Sequence, residues 1–198
     1  MYKFIITITV ILASIFNISA QYQMDITGNY NVPMSSEFKD NYNNGFGVTA
    51  DIHYFFKESG FSVSLLFGFN SFRGSNKFEQ ALKDSNKTIF EYDYQINYYT
   101  FPLYVSANYT LFSDKKFHVI PSISLGGNFM EQKKKQIGQY TSDTEKEYFN
   151  EFGVYPNLGL SYEIVEDVSF LIKSGYNATF GSKSISYIDV KIGIIYKI

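Results

Sequence analysis

A sequence whose apolar and polar residues change places at every step fits a β-strand and no helix, and this chain keeps that period nearly from end to end. Between Val168 and Phe180, VSFLIKSGYNATF carries Phe170, Ile172, Tyr176 and Phe180 in one register and Ser169, Lys173, Asn177 and Thr179 in the other. Successive strand side chains point to opposite faces, so a period of two defines two faces. It predicts eight strands, at 22–32, 45–56, 61–71, 92–112, 117–130, 151–163, 168–180 and 185–198, with no competing helical period.

In each strand one register is apolar and free of charge. Examples are Phe46, Val48, Ala50, Ile52, Tyr54 and Phe56, or Tyr99, Phe101, Leu103, Val105, Ala107 and Tyr109. The other is mostly Ser, Thr, Asn and Gly, with Asp25, Asp51, His53, His118, Glu163, Lys173, Asp189, Lys191 and Lys197 among them. Alternation alone fits a soluble barrel equally well, with the faces exchanged. Three features place the apolar face outside. The polar register is dominated by small residues such as Ser62, Ser64, Ser122, Ser124 and Gly159, which suit the narrow interior of an eight-stranded barrel. Aromatic residues make up 19% of the chain, and in the apolar register they gather near strand ends, as in interfacial girdles. The strands also exceed the usual length of about five or six residues and match a tilted membrane crossing. The expectation is an all-β, eight-stranded antiparallel up-and-down transmembrane β-barrel, with Ile172 facing lipid and Lys173 facing inward.

The connections sort by length. KESG (57–60), SDKK (113–116) and the VED corner (165–167) read as tight turns, whereas 33–44, 72–91 and 131–150 read as long polar loops; GSKS (181–184) is short and breaks the pattern. Short turns at one end and long loops at the other are the layout of outer-membrane barrels with both termini on the periplasmic side. The opening MYKFIITITVILASIFNISA has an early cation, an apolar run and a small-residue ending, which reads as a signal peptide over 1–20, cut before Gln21, ahead of a barrel domain over 21–198. With no cysteine, the chain has no thiol for a lipid anchor, a disulfide or a thiolate metal site. Without Lys3 the 17 Lys and Arg become 16 against 19 Asp and Glu, a formal net charge of −3, which leaves no basic footprint for nucleic acid.

The leader, the eight strands, FPLYVSANY (101–109) before a tight turn and the closing VKIGIIYKI (190–198) resemble the small outer-membrane β-barrel proteins grouped as porin-family or PorT-like barrels, akin in architecture to OmpX and the OmpA membrane domain. The likeness covers essentially all of 21–198 and lies in pattern. Ile198 stands where such barrels often end in Phe, with Tyr196 two residues earlier. The resemblance implies an integral bacterial outer-membrane protein embedded in outer-membrane lipid, and for PorT-like members a role in assisting protein secretion.

Candidate site residues follow from the inward register. Asp51, His53, Lys173, Asp189 and Lys191 share one interior, where unpaired charges are costly, so they are expected to form a lumenal polar network of salt bridges rather than a gated pore. Counting back from KESG puts His53 opposite Ser64, a pair with the residue types of a hydrolase, although a structural hydrogen bond accounts for it as well. EQKKKQ (131–136) could meet phosphate groups, but beside Asp143, Glu145 and Glu147 it is expected to be solvated. No catalytic, metal or cofactor residue is assigned. The expected function is a non-catalytic surface-interaction or secretion-assisting role, with a surface or secretion-machinery protein met through 33–44, 72–91 and 131–150. Two alternatives keep the barrel: a soluble lipocalin-like ligand carrier, and an outer-membrane lipid-modifying hydrolase built on Ser64 and His53.

Overall fold

A computed structural model of the chain describes residues 21–56, 59–85, 93–112, 115–138 and 142–198. The leader read at 1–20, the first two residues of the turns read at 57–60 and 113–116, and residues 86–91 and 139–141 of the loops read at 72–91 and 131–150 lie outside the described residues. Eight strands close into one barrel: β1 (Gln21–Pro33), β2 (Gly45–Phe55), β3 (Phe61–Arg73), β4 (Asp93–Tyr109), β5 (Phe117–Ile137), β6 (Ser142–Val165), β7 (Val168–Phe180) and β8 (Ser186–Lys197). Each is antiparallel to its sequence neighbours, and β1 closes on β8.

The pleat sorts side chains as the alternation requires. Ile172 is 41% exposed on the outside, whereas its neighbour Lys173 is 4% exposed inside. Phe46, Leu65, Val105, Ile123, Leu158 and Ile192 share the outer face, opposite in sense to a lipocalin-type barrel that buries its apolar register. Outward rings pack in two bands. At the short-turn end Tyr54 meets Tyr22 at 5.7 Å and Phe56 stacks on Phe61 at 5.4 Å; at the other end Tyr30 meets Phe46 at 5.3 Å and Phe69 meets Tyr99 at 5.8 Å.

Prolines within strands leave local gaps in the ladder. Pairing of β3 with β4 skips from Phe67↔Leu103 to Asn70↔Thr100 around Pro102, and that of β6 with β7 skips from Val154↔Ala178 to Asn157↔Gly175 around Pro156. A residue without an N–H cannot donate to the ladder, and the long strands carry each gap between paired stretches.

The long connections differ from expectation. The segments 33–44 and 72–91 hold two helices, α1 (Ser36–Asn41) and α2 (Asn76–Ser85). The segment 131–150 is largely not a loop: β5 and β6 continue through it, paired without interruption from Phe117↔Tyr162 to Ile137↔Ser142. The side-chain hydroxyl of Ser75 accepts the Phe78 N–H at the start of α2. Phe78 and Leu82, four residues apart on that helix, pack against a buried cluster of Phe38, Tyr42, Phe72, Ile96, Tyr98, Met130, Ile185 and Tyr187. The helix exposes its polar remainder. This cluster closes the end of the barrel that bears the long connections. Among the described residues, the barrel mouth at that end is therefore covered by this apolar cluster as a cap, where polar loops were expected.

Candidate functional site

The inward register of β1, β2, β7 and β8 brings charges together that are far apart in sequence. Two pairings put like charges directly across from each other, Asp25↔Asp51 and Lys173↔Lys191. Such pairs are destabilising unless answered, and the answer comes across the lumen. Lys173 Nζ lies 3.5 Å from both Asp25 Oδ2 and Asp51 Oδ2. His53 Nε2 is 3.0 Å from Asp25 Oδ2 and 3.5 Å from Asp51 Oδ2. Gln23 donates to Asp25 Oδ1 at 3.1 Å. The second group is smaller: Lys191 Nζ lies 3.6 Å from Asp189 Oδ2 and 4.5 Å above the Tyr155 ring, and the Tyr155 hydroxyl donates to Asp189 Oδ1 at 2.8 Å.

All five residues singled out in the sequence are thus buried in the lumen, but as two groups, Asp51, His53 and Lys173 in one and Asp189 with Lys191 in the other. Asp25 completes the first group and Tyr155 the second. Asp25 was visible in the polar register; Tyr155 was not, because its ring looks like one more aromatic until its register partner is known. Ligand atoms of Asp25, Asp51 and His53 lie within 4.8 Å of one another, close enough for a metal. The Lys173 ammonium, however, already stands 3.5 Å from both carboxylates and supplies the positive charge there.

The Ser64–His53 pair has the register expected of it. Asn108 stands between them, with its Nδ2 3.1 Å from Ser64 Oγ and 3.5 Å from His53 Nδ1, while His53 Nε2 faces Asp25. Both ring nitrogens of His53 are therefore engaged, Nδ1 by the Asn108 amide and Nε2 by the Asp25 carboxylate. That arrangement ties up the base and hands the serine hydroxyl to an amide. His118 Nδ1 similarly pairs with Ser161 Oγ, at 3.2 Å.

Apolar and aromatic groups share the interior with the polar ones, contrary to the expectation of a mainly small polar lining. Leu66, Tyr104 and Tyr155 form one buried cluster, and Ile120, Leu171 and Ile195 another. Tyr104 bonds Asn177 through its hydroxyl. Toward the outer end, Asn29 donates to Thr49 at 2.6 Å and Asn70 donates to Thr100 at 3.1 Å, forming a polar layer beneath the apolar cap. Eight strands leave space only for side chains, and here buried side chains are found from Ser62 and His53 near the short turns to Asn31 and Asn70 beneath the cap.

Beyond the cap, β4, β5 and the start of β6 continue as a three-stranded sheet, β4 meeting β5 from Asp93↔Ile137 onward. Pairing of β6 with β7 begins only at Phe152↔Phe180, so residues 142–151 form a free sheet edge. One face of the sheet turns toward the mouth: Gln132 donates to the Tyr42 hydroxyl, and Lys183 sits 5.6 Å above the Phe149 ring. Burial pushes the Tyr42 hydroxyl well above its ordinary range, so it stays protonated as Gln132's acceptor. At the base of the edge, buried Glu151 caps the β7–β8 turn, accepting from Ser182 Oγ at 2.8 Å and the Lys183 N–H at 2.9 Å.

No protein-family model and no curated sequence matches this chain. Solved structures do. A major outer membrane protein from Thermus thermophilus superposes with a TM-score of 0.61 at 11% identity, over 90% of this chain and all (100%) of that one. The outer membrane protease OmpT from Escherichia coli gives 0.52 at 8% identity, over 92% and 99%. Ail, the attachment invasion locus protein of Yersinia pestis, gives 0.50 at 14% identity, over 91% and 100%. With its closed ring of eight antiparallel strands and its exposed apolar belt, the chain has the fold of the small outer-membrane β-barrels.

Proposed function

We propose that this chain is an exported, integral protein of a bacterial outer membrane, without catalytic activity, that works at the cell surface through the sheet projecting from its outer end. The observation that carries this reading is the free edge at 142–151. A row of unpaired N–H and C=O groups is a template for another strand, and main-chain pairing is a common way of capturing an extended peptide. The edge stands on a rigid base, since β5 and β6 run unbroken from the barrel wall into it. Export rests on the signal-peptide pattern of residues 1–20.

Because the same fold serves an attachment protein and a protease, the distinction falls on this chain's own groups. Its two histidines are both held by structural partners, and His53 is buried near the short-turn end of the lumen. The PorT-like resemblance adds a narrower version, in which the captured strand belongs to a secretion-machinery protein; the same edge serves either partner.

Replacing 133–146 with a two-residue Asn-Gly turn, which keeps the pairing of Gln132 with Glu147, tests the proposal in a strain lacking the wild-type gene. The barrel should still fold and reach the membrane, and the adhesion or secretion defect of the deletion strain should persist. Restoration of full activity by the shortened hairpin, or its loss in His53→Gln, would instead place the function in the lumen.

A further inference from the structure

The run Lys133, Lys134, Lys135 looks like one basic patch in the sequence, mixed with the acids that follow it. The pleat separates them. Lys134 and the acidic Asp143, Glu145, Glu147 and Glu151 lie in the register of the mouth-side face, where Lys134 Nζ pairs with Glu147 at 3.2 Å. Lys133 and Lys135 fall on the outward face, which continues the exposed apolar belt through Phe129, and Lys146 stands directly opposite Lys133 on that face. Of the acids there, Glu131 is taken by Lys146 at 3.0 Å and Asp93 by Lys83 of α2. Among the described residues, no carboxylate pairs with Lys133 or Lys135. The outward face therefore carries Lys133, Lys135 and Lys146 against the single carboxylate of Glu131, which leaves Lys133 and Lys135 without a counter-ion there and favours an anion joining them.

Position says which anion. Lys133 lies four residues beyond Phe129, the last outward ring of β5. At a rise of about 3.4 Å per residue and a tilt of about 35–45°, its Cα sits roughly 10 Å above that ring. The headgroup zone occupies roughly the first 5–7 Å outside the hydrocarbon on each side. On the neighbouring strands outward rings continue to the level of Glu131, at Tyr99 and Tyr148, so Lys133 and Lys135 stand roughly 5 and 10 Å above the last rings and their long stems cover the rest. We propose that Lys133 and Lys135, beside a Lys146 already held by Glu131, bind the phosphate groups of a phosphorylated lipid headgroup in the outer leaflet, fixing the barrel's height and the angle at which the sheet stands. This rests on the membrane placement above and is independent of what the edge of β6 captures.

The test uses the full barrel in neutral detergent micelles, titrated with fluorescent bis-phosphorylated lipid A. Wild type should bind it, with affinity falling steeply as salt rises, and should bind the dephosphorylated lipid at least tenfold more weakly. Lys133→Gln with Lys135→Gln should lose at least tenfold in affinity, whereas Lys134→Gln, on the opposite face, should stay within twofold. Unchanged mobility of unboiled samples on a denaturing gel keeps folding separate from binding, and both variants retain the free edge, so loss of lipid binding leaves partner capture intact. No binding by wild type, equal losses in the two variants, or binding of a soluble sulfated polysaccharide but not of the lipid would each overturn the assignment.

Discussion

Tyr104 occupies the room that a side chain at Gly153 would need. A Cβ on Gly153 would lie 2.7 Å from Tyr104 Cε1 and 2.8 Å from Cζ, and Gly126 faces the same ring, at 2.9 Å from Cδ1. Tyr104 is 1% exposed and tied to Asn177, so it has nowhere to withdraw. Gly153→Ala should therefore cost about 1–3 kcal/mol by overpacking. Combining it with Tyr104→Leu should cost less than the two changes added. Urea unfolding in lipid vesicles measures the cycle, and simple additivity would mean that the ring and the glycine do not share this space.

Lys173 is the cation shared by Asp25 and Asp51, and removing it leaves two buried carboxylates facing each other with only His53 between them. Lys173→Met should destabilise by about 3–5 kcal/mol, and adding Asp51→Asn should return part of it. The neighbouring change Ile172→Lys puts a charge on the lipid side at about 2–4 kcal/mol. The alternation by itself makes the outward change look far worse. The ion pairs make the two comparable. Folding yield and unfolding midpoint in vesicles compare them, and a Lys173→Met barrel as stable as wild type would show that the lumenal carboxylates do not depend on it.

The cap should open without the barrel. Phe38 packs on Phe72 at 4.9 Å and on Tyr98 at 5.3 Å, joining α1 to two strands. Truncating a buried phenylalanine costs about 3–5 kcal/mol. Phe38→Ala should speed amide exchange in 36–42 and 76–85 and leave exchange in the paired parts of β1–β8 unchanged. Uniformly faster exchange would mean that cap and barrel unfold as one unit.

The exposed apolar belt predicts how the protein is recovered. It should leave membranes only with detergent and migrate differently on a denaturing gel before and after boiling, because a closed barrel has no edge from which to unravel. Purified into planar bilayers, it should give no steady conductance, since an eight-stranded lumen has room only for side chains and buried apolar clusters lie within this one. Recovery as a detergent-free soluble monomer would reverse the assignment of the two faces.

Much of this was legible in the chain itself. Strand alternation is a local property, set by the pleat from one residue to the next. A charge-free register beside a register of Ser, Asn and Gly therefore determined strand positions to within a few residues for most strands, which face is apolar, and that Asp51, His53, Lys173, Asp189 and Lys191 point inward, though not that they divide into two groups. The helical cap was only partly legible. Ser75 before Phe78 and Leu82 is a helix signal that polar composition masked, but α1 has six residues and holds its shape by docking Phe38. Other features were decided by closure of the ring. Which carboxylates Lys173 serves depends on elements more than a hundred positions apart meeting across a narrow lumen, and Tyr104 needs glycines supplied by β5 and β6. The separation of Lys133 and Lys135 from their acidic neighbours needed the pairing of β5 with β6 past residue 130, where composition reads as loop. The pleat is written residue by residue, whereas partners across a lumen or a hairpin are fixed only when register and strand order are.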